Sequence, residues 1–156
     1  MNRRLIVGFL GSFAGLLTLA GCAPPPPPPP VLYLTIVGTP DQNPDTAGRA
    51  SPVAVRVYQL SGSAKFSQAD VFGLKDNEAK TLGTEAAAGS LEYLIAPGDT
   101  KKVTIDLKPM VSTIGVAVLY RDIDRASWRA TEAANAHGAT NITATVGRLA
   151  LTLKGG

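Results

Sequence analysis

Apolar and polar residues alternate with a period of two over most of the chain beyond residue 30. Leu32, Leu34 and Ile36 fall on one face of an extended segment, and Tyr33, Thr35 and Val37 on the other. Val53, Val55 and Val57 open a second strand that runs to Leu60. The pattern recurs at Leu91/Tyr93/Ile95, Val103/Ile105/Leu107, Ile114/Val116/Val118/Tyr120, Ile142/Ala144/Val146 and Leu149/Leu151/Leu153. Pro97-Gly98-Asp99 and Gly147-Arg148 supply turns between neighbouring strands. Between Ala64 and Leu82 the period changes. Phe66, Ala69, Val71, Phe72 and Leu74 suit a short helix with Ser63 as its N-cap, and Lys75–Leu82 adds a further turn or two. Residues 122–139 show no period and are expected to be irregular; they carry Trp128 and the single histidine, His137. About seven to eight short strands with one helical insertion near residues 64–82 predict an all-β, two-sheet sandwich. No internal repeat is visible.

The start of the chain follows a different rule. Asn2-Arg3-Arg4 precedes an apolar run from Leu5 to Leu19, which ends in Leu19-Ala20-Gly21-Cys22. A basic start, a short apolar core and small residues before a cysteine describe a bacterial secretory signal ending in a lipoprotein cleavage box. Ala20 and Gly21 let a peptidase approach the backbone, and the Cys22 thiol is the nucleophile that receives lipid. The apolar run of about 15 residues is shorter than the roughly 20 a membrane-spanning helix needs. Residues 1–21 are therefore expected to be removed, leaving an acylated Cys22 at the start of the mature chain, outside the cytoplasm. Cys22 is also the sole cysteine, so no intramolecular disulfide is available. One acyl chain binds a membrane only marginally, whereas several hold a protein there almost permanently. Ala23 follows the cysteine where inner-membrane retention favours Asp, which directs the expectation to the outer membrane. Pro24–Pro30 follow without interruption. Seven prolines have no N–H to donate and a fixed φ, so residues 22–30 read as a lipidated cysteine on a polyproline II tether of roughly 20 Å. Residues 31–156 form the folded domain.

Charge narrows the partners. Arg3 and Arg4 leave with the signal and no acid does, so the formal net charge of +3 falls by two in the mature chain. No basic stripe remains, which argues against nucleic acid. Catalytic chemistry is hard to assemble. His137 has no second histidine for a metal pair, and no nucleophile elbow, zinc helix or phosphate-binding glycine loop occurs. Asp122 and Asp124 have the spacing to share a cation, but a calcium loop needs further oxygen ligands. The simpler reading is an acidic turn neutralised by Arg121, Arg125 and Arg129.

The segment from Gly38 to Ser51 is more informative. Hairpin loops usually hold two to five residues, and one this long is either functional or disordered. Its prolines and Asx residues favour a shaped turn.

Several motifs then converge. Asn43-Pro44-Asp45-x-x-Gly48-Arg49-x-Ser51-Pro52 runs into Val53-x-Val55-Arg56-Val57-Tyr58-Gln59-Leu60. Phe66, Ala69-Asp70-Val71-Phe72 and Leu94-x-x-Pro97-Gly98 follow, and then Tyr120-Arg121-Asp122-Ile123-Asp124-x-Ala126-x-Trp128-Arg129. With the lipobox, these stretches resemble the TssJ (SciN/VasD) family, the outer-membrane lipoproteins of the type VI secretion system. The resemblance covers nearly all of residues 31–154, and the seven-proline tether departs from it. It implies a transthyretin-like β-sandwich and a structural role, with no cofactor beyond the lipid on Cys22 and no small-molecule substrate. It also implies an outer-membrane anchor whose partner is the periplasmic C-terminal domain of TssM. In this family the loop between the first two strands meets that partner; here it is residues 39–51, and the candidates are Asp41, Gln42, Asn43, Asp45 and Arg49.

Some residues carry their own expectations. With Val53, Val55 and Val57 facing the core, Arg56 and Tyr58 share the opposite face of their strand. If that face is covered, Arg56 needs a carboxylate such as Asp122 or Asp124. Trp128 is expected to pin the 122–139 segment to the sandwich. Two other classes of function fit the sequence less well. A hydrolase on the same fold would rely on several histidines, where this chain has one. A ligand- or carbohydrate-binding periplasmic lipoprotein would favour clustered exposed aromatics, yet aromatics make up only 6% of the chain.

Overall fold

The structure, a computed structural model, describes residues 24–156. The signal segment and Cys22 lie outside the described residues. Eight strands build two four-stranded sheets: β1 (Val31–Gly38), β2 (Val53–Leu60), β3 (Leu91–Ile95), β4 (Thr100–Asp106), β5 (Thr113–Val118), β6 (Arg129–Ala133), β7 (Ala139–Val146) and β8 (Leu151–Gly155). One sheet has the order β4-β1-β7-β8 and the other β3-β2-β5-β6. Among the strands of the described residues, β1 and β7 alone pair in parallel, the others antiparallel. The period-two pattern explains the core. Leu32, Leu34 and Ile36 of β1 and Ile142, Ala144 and Val146 of β7 meet Val53, Val55 and Val57 of β2 and Ile114, Val116 and Val118 of β5 between the sheets.

The helical insertion is three short helices, α1 (Ala64–Gln68), α2 (Val71–Asp76) and α3 (Glu78–Leu82). Ser63 makes no side-chain cap. The carboxylate of Glu85 takes that role, accepting from Lys65 N at 3.0 Å and Phe66 N at 3.1 Å. Asp70 caps α2 through Gly73 N at 2.8 Å. The helices cover the outer face of β2 and β5, where Tyr58, Leu60, Phe66, Leu74, Leu82 and Ala117 form a second apolar cluster. Gly115 makes room for it: a Cβ there would stand 3.0 Å from both Phe66 and Leu60.

This cover decides the fate of Arg56, and it is neither Asp122 nor Asp124. Arg56 pairs with Glu92, its cross-strand neighbour on β3, at 2.7 Å. Its second nitrogen donates to the carbonyls of Leu74 and Lys75 at the end of α2. The helices bring those acceptors over the strand, while Asp122 lies in the β5–β6 connection. The Glu92 hydrogen bond raises the Arg56 pKa. Beneath it, burial raises that of Tyr58, an effect the Arg56 cation partly offsets.

Two further expectations change. Residues 122–139 contain the edge strand β6, whose sequence Arg-Ala-Thr-Glu-Ala has no apolar alternation because neither of its faces is fully buried. On β3 only Ile95 is buried, while Leu91 and Leu94 are exposed. Trp128 is half-buried and packs against both apolar clusters, with the Arg129 guanidinium 4.7 Å from its ring centre. No helix among the described residues is long and apolar enough to cross a membrane.

Candidate partner interface

The sandwich has two poles, and β1 joins them. At its start Pro30 O accepts from Leu107 N at 3.1 Å and Pro28 O accepts from Gly138 N at 3.2 Å, so the last prolines of the tether are seated on the domain. At its end the chain enters the loop 39–52. Strand directions bring the β3–β4, β5–β6 and β7–β8 connections to that same loop pole. His137 is exposed in the β6–β7 turn at the tether pole, away from them.

Polar side chains turned inward shape the loop. Gln42 has no exposed surface. Its amide donates to Ile95 O at 2.8 Å and Ser51 O at 3.3 Å, tying the loop to the end of β3. Asn43 is 3% exposed and adopts φ +44°, a left-handed conformation that asparagine tolerates better than most residues. Its Nδ2 donates to Pro52 O at 2.9 Å, and its Oδ1 accepts from Arg121 N at 2.8 Å. Its own N–H donates to Arg148 O at 3.1 Å. One side chain and one amide thus connect the first loop to the β5–β6 and β7–β8 connections. Gln42 and Asn43, expected among the contact residues, serve here as internal braces. Backbone groups accept from Gln42 Nε2 and pair both ends of the Asn43 amide, while Gln42 Oε1 has no hydrogen-bond partner among the described residues.

Beyond the braces comes a self-contained turn. Asp45 Oδ1 accepts from the backbone N–H groups of Ala47 and Arg49, both at 2.9 Å. Asp45 N donates to Arg49 O at 2.8 Å and Gly48 N to Asp45 O at 2.9 Å. Gly48 sits at φ +79°, where a side chain would be strained. The Arg49 guanidinium closes the turn on Asp45 Oδ2 at 2.8–2.9 Å. The Arg49 N–H holds the Asp45 carboxyl below its ordinary pKa, against the desolvation that would raise it. The Arg49 side chain, the Ala47 N–H and the Arg121 charge add to the lowering. The spacing Asn-Pro-Asp-x-x-Gly-Arg is therefore a turn-forming unit. Arg49 remains 81% exposed, Asp45 is largely covered, and exposed Asp41 accepts from Thr39 Oγ1 at 2.6 Å.

An open cleft of about 520 Å³ lies between this turn and the neighbouring connections. Pro44, Asp45 and Thr46 form one wall, and Arg121, Asp122, Arg125, Arg148 and Leu149 the other. The frame around it is cross-linked. Tyr120 Oη donates to Gly147 O at 3.2 Å, and burial holds its phenol well above the ordinary pKa. Ser127 N donates to Leu149 O and Leu151 N to Ser127 O, both at 2.9 Å. Along the sequence Arg121 stands only as a counter-charge for Asp122 and Asp124, and Arg148 only as part of a turn. Nothing along the chain shows that Asn43 gathers both beside the loop. Asp122 pairs with Arg125 at 3.3 Å. Among the described residues no cluster of His, Cys, Asp or Glu could hold a metal ion.

A family model described as type VI secretion lipoprotein, VasD, EvfM, TssJ matches residues 30–149. Among solved structures, the T6SS lipoprotein TssJ1 from Pseudomonas aeruginosa aligns with a TM-score of 0.78 at 30% identity, over 83% of this chain and 98% of that one. Lip from Serratia marcescens, a membrane-bound component of the type VI secretion system, shares the fold at TM-score 0.74 and 22% identity, over 81% of this chain and 96% of that one. A chain in the structure described as the T6SS protein TssM C-terminal domain (869-1107) from EAEC aligns at TM-score 0.65 and 25% identity, over 80% of this chain and 98% of that one. No curated protein matches the chain.

Proposed function

Since the chain belongs to the TssJ family of type VI secretion lipoproteins, structural components of a secretion machine and not enzymes, we propose that it anchors the trans-envelope complex to the outer membrane. In this reading residues 1–21 are cleaved and the acylated Cys22 holds the membrane. The loop 39–51 binds the periplasmic C-terminal domain of TssM. Asp41 and Arg49 offer the contact surface, Asp45 closes the turn that presents it, and Gln42 and Asn43 hold the loop in shape.

The observation that carries this reading is the separation of the two poles by β1. The tether joins at Val31 and the loop departs after Gly38, so eight residues of strand stand between them. At about 3.3 Å per residue that is roughly 26 Å. A protein that grips a membrane at one end and a partner at the other needs this arrangement. The TssM structure described above adds support, because one of its chains has this fold.

The test is a titration of the full chain, held in detergent, against the TssM C-terminal domain of the same bacterium. A second protein carries a short Gly-Ser turn in place of residues 40–50. Binding by the first and loss by the second, with the sandwich still folded, is the expected result. Equal binding would keep the partner and remove the loop from the interface. No binding by either would overturn the proposal.

A further inference from the structure

The cleft at the loop pole carries unbalanced charge. Three arginines and two aspartates line it. Both acids are already engaged, Asp122 with Arg125 and Asp45 with Arg49 outside the cleft. Arg121 and Arg148 are exposed, and among the described residues neither side chain makes a salt bridge or hydrogen bond. Both are nevertheless placed with care. The buried Asn43 accepts from the Arg121 N–H and donates to the Arg148 carbonyl, and the neighbouring Tyr120 is bonded to Gly147. A rigid backbone thus presents two uncommitted guanidinium groups to one opening. Such groups bind carboxylates through paired N–H donors, and a pre-set backbone lowers the ordering cost of doing so.

We infer that this cleft receives an acidic segment of the protein partner, with Arg121 and Arg148 each taking a carboxylate. The inference rests on the reading above that TssM is that partner, and it adds a site and a chemistry to the loop. Headgroup phosphates have similar chemistry. They are disfavoured because the tether leaves from the opposite pole, so the anchoring membrane lies at the far end of β1.

The experiment is the same titration with Arg121→Gln, Arg148→Gln and the double variant, each checked for an unchanged melting temperature. Lys108→Gln, an exposed cation beside Leu107 at the opposite, tether pole, is the control. Each of the first two should weaken binding about tenfold and the double variant about a hundredfold, with little change for the control. Wild-type affinity should fall as salt rises, and the double variant should respond less steeply. A merely structural role for the arginines would not flatten that dependence. Wild-type binding that the double variant fully retains would overturn the cleft while leaving the anchor reading intact. Absence of wild-type binding would overturn both. Glycerol phosphate serves as a soluble headgroup probe. If it saturates the wild type and not the double variant while TssM affinity is unchanged, the site belongs to lipid and the proposal fails.

Discussion

The first loop and the helical insertion both interrupt the β-sandwich, and they are held by opposite means. Residues 61–90 lie on the outer face of β2 and β5 through Phe66, Leu74 and Leu82, buried with Tyr58 and Leu60 in a dedicated apolar cluster. Residues 39–52 bury no large apolar side chain. Inside them Gln42 and Asn43 are aimed at backbone groups, Gln42 at the end of β3 and Asn43 at Pro52 and at Arg121 in the β5–β6 connection. Apolar burial is strong and non-directional, so it stabilises a layer without dictating the placement of each atom. Hydrogen bonds contribute less free energy but are directional, so they fix a loop in one register. A surface that must keep its outer face free for a partner is well served by the second device.

Removing the anchor of each region should separate stability from recognition. Phe66→Ala empties the centre of the helical cluster and should cost about 3–5 kcal/mol in denaturant unfolding. Its affinity for TssM, measured where it remains folded, should be unchanged, and a large affinity loss would erase the distinction. Asn43→Ala leaves the Arg121 N–H and the Pro52 carbonyl unpaired, at a cost of about 1–3 kcal/mol. It should weaken TssM binding more than its stability loss suggests. Asn43→Gly accepts the left-handed backbone, so a defect shared by both variants would trace to the lost side chain and not to φ. The smallest effect concerns Asp45. Its pKa is lowered on folding, so the turn is stabilised fully above the ordinary value of 3.8 and loses that support as pH falls through the depressed value. The amide resonances of Ala47 and Arg49 should report the loosening below that pH. A profile flat down to about pH 2 would show that the carboxylate charge is not what closes the turn. Asp45→Asn keeps an acceptor at Oδ1 and should abolish the acid transition while leaving the turn formed at neutral pH.

The strands were legible because one face of each meets the core, which writes a period of two into the sequence. Leu32/Leu34/Ile36 and Ile142/Ala144/Val146 show this most clearly, and all six are buried. β6 was missed because Arg129–Ala133 is an edge strand without a fully buried face. The helical insertion was placed correctly, but Ser63 looked like a cap when the cap is Glu85, distant in sequence and adjacent only after folding. In the first loop the Asn-Pro-Asp-x-x-Gly-Arg turn was visible as local chemistry. That Gln42 and Asn43 face inward was not, because a polar residue in a loop carries no mark of the backbone groups it will meet.

Local information therefore determined the strand periodicity, the run of seven prolines and the tight turn at Asp45. Each depends on residues a few positions apart, whose φ preferences, side-chain period and short-range hydrogen bonds act before any tertiary contact forms. Tertiary structure alone decided the pairing of Arg56 with Glu92, the seating of Pro28 and Pro30 on the domain, and the meeting of Arg121 and Arg148 beside Asn43. Those contacts join residues tens of positions apart in sequence. They exist only because strand pairing sets Glu92 beside Arg56 and the packed sheets gather four connections at one pole and the proline run at the other.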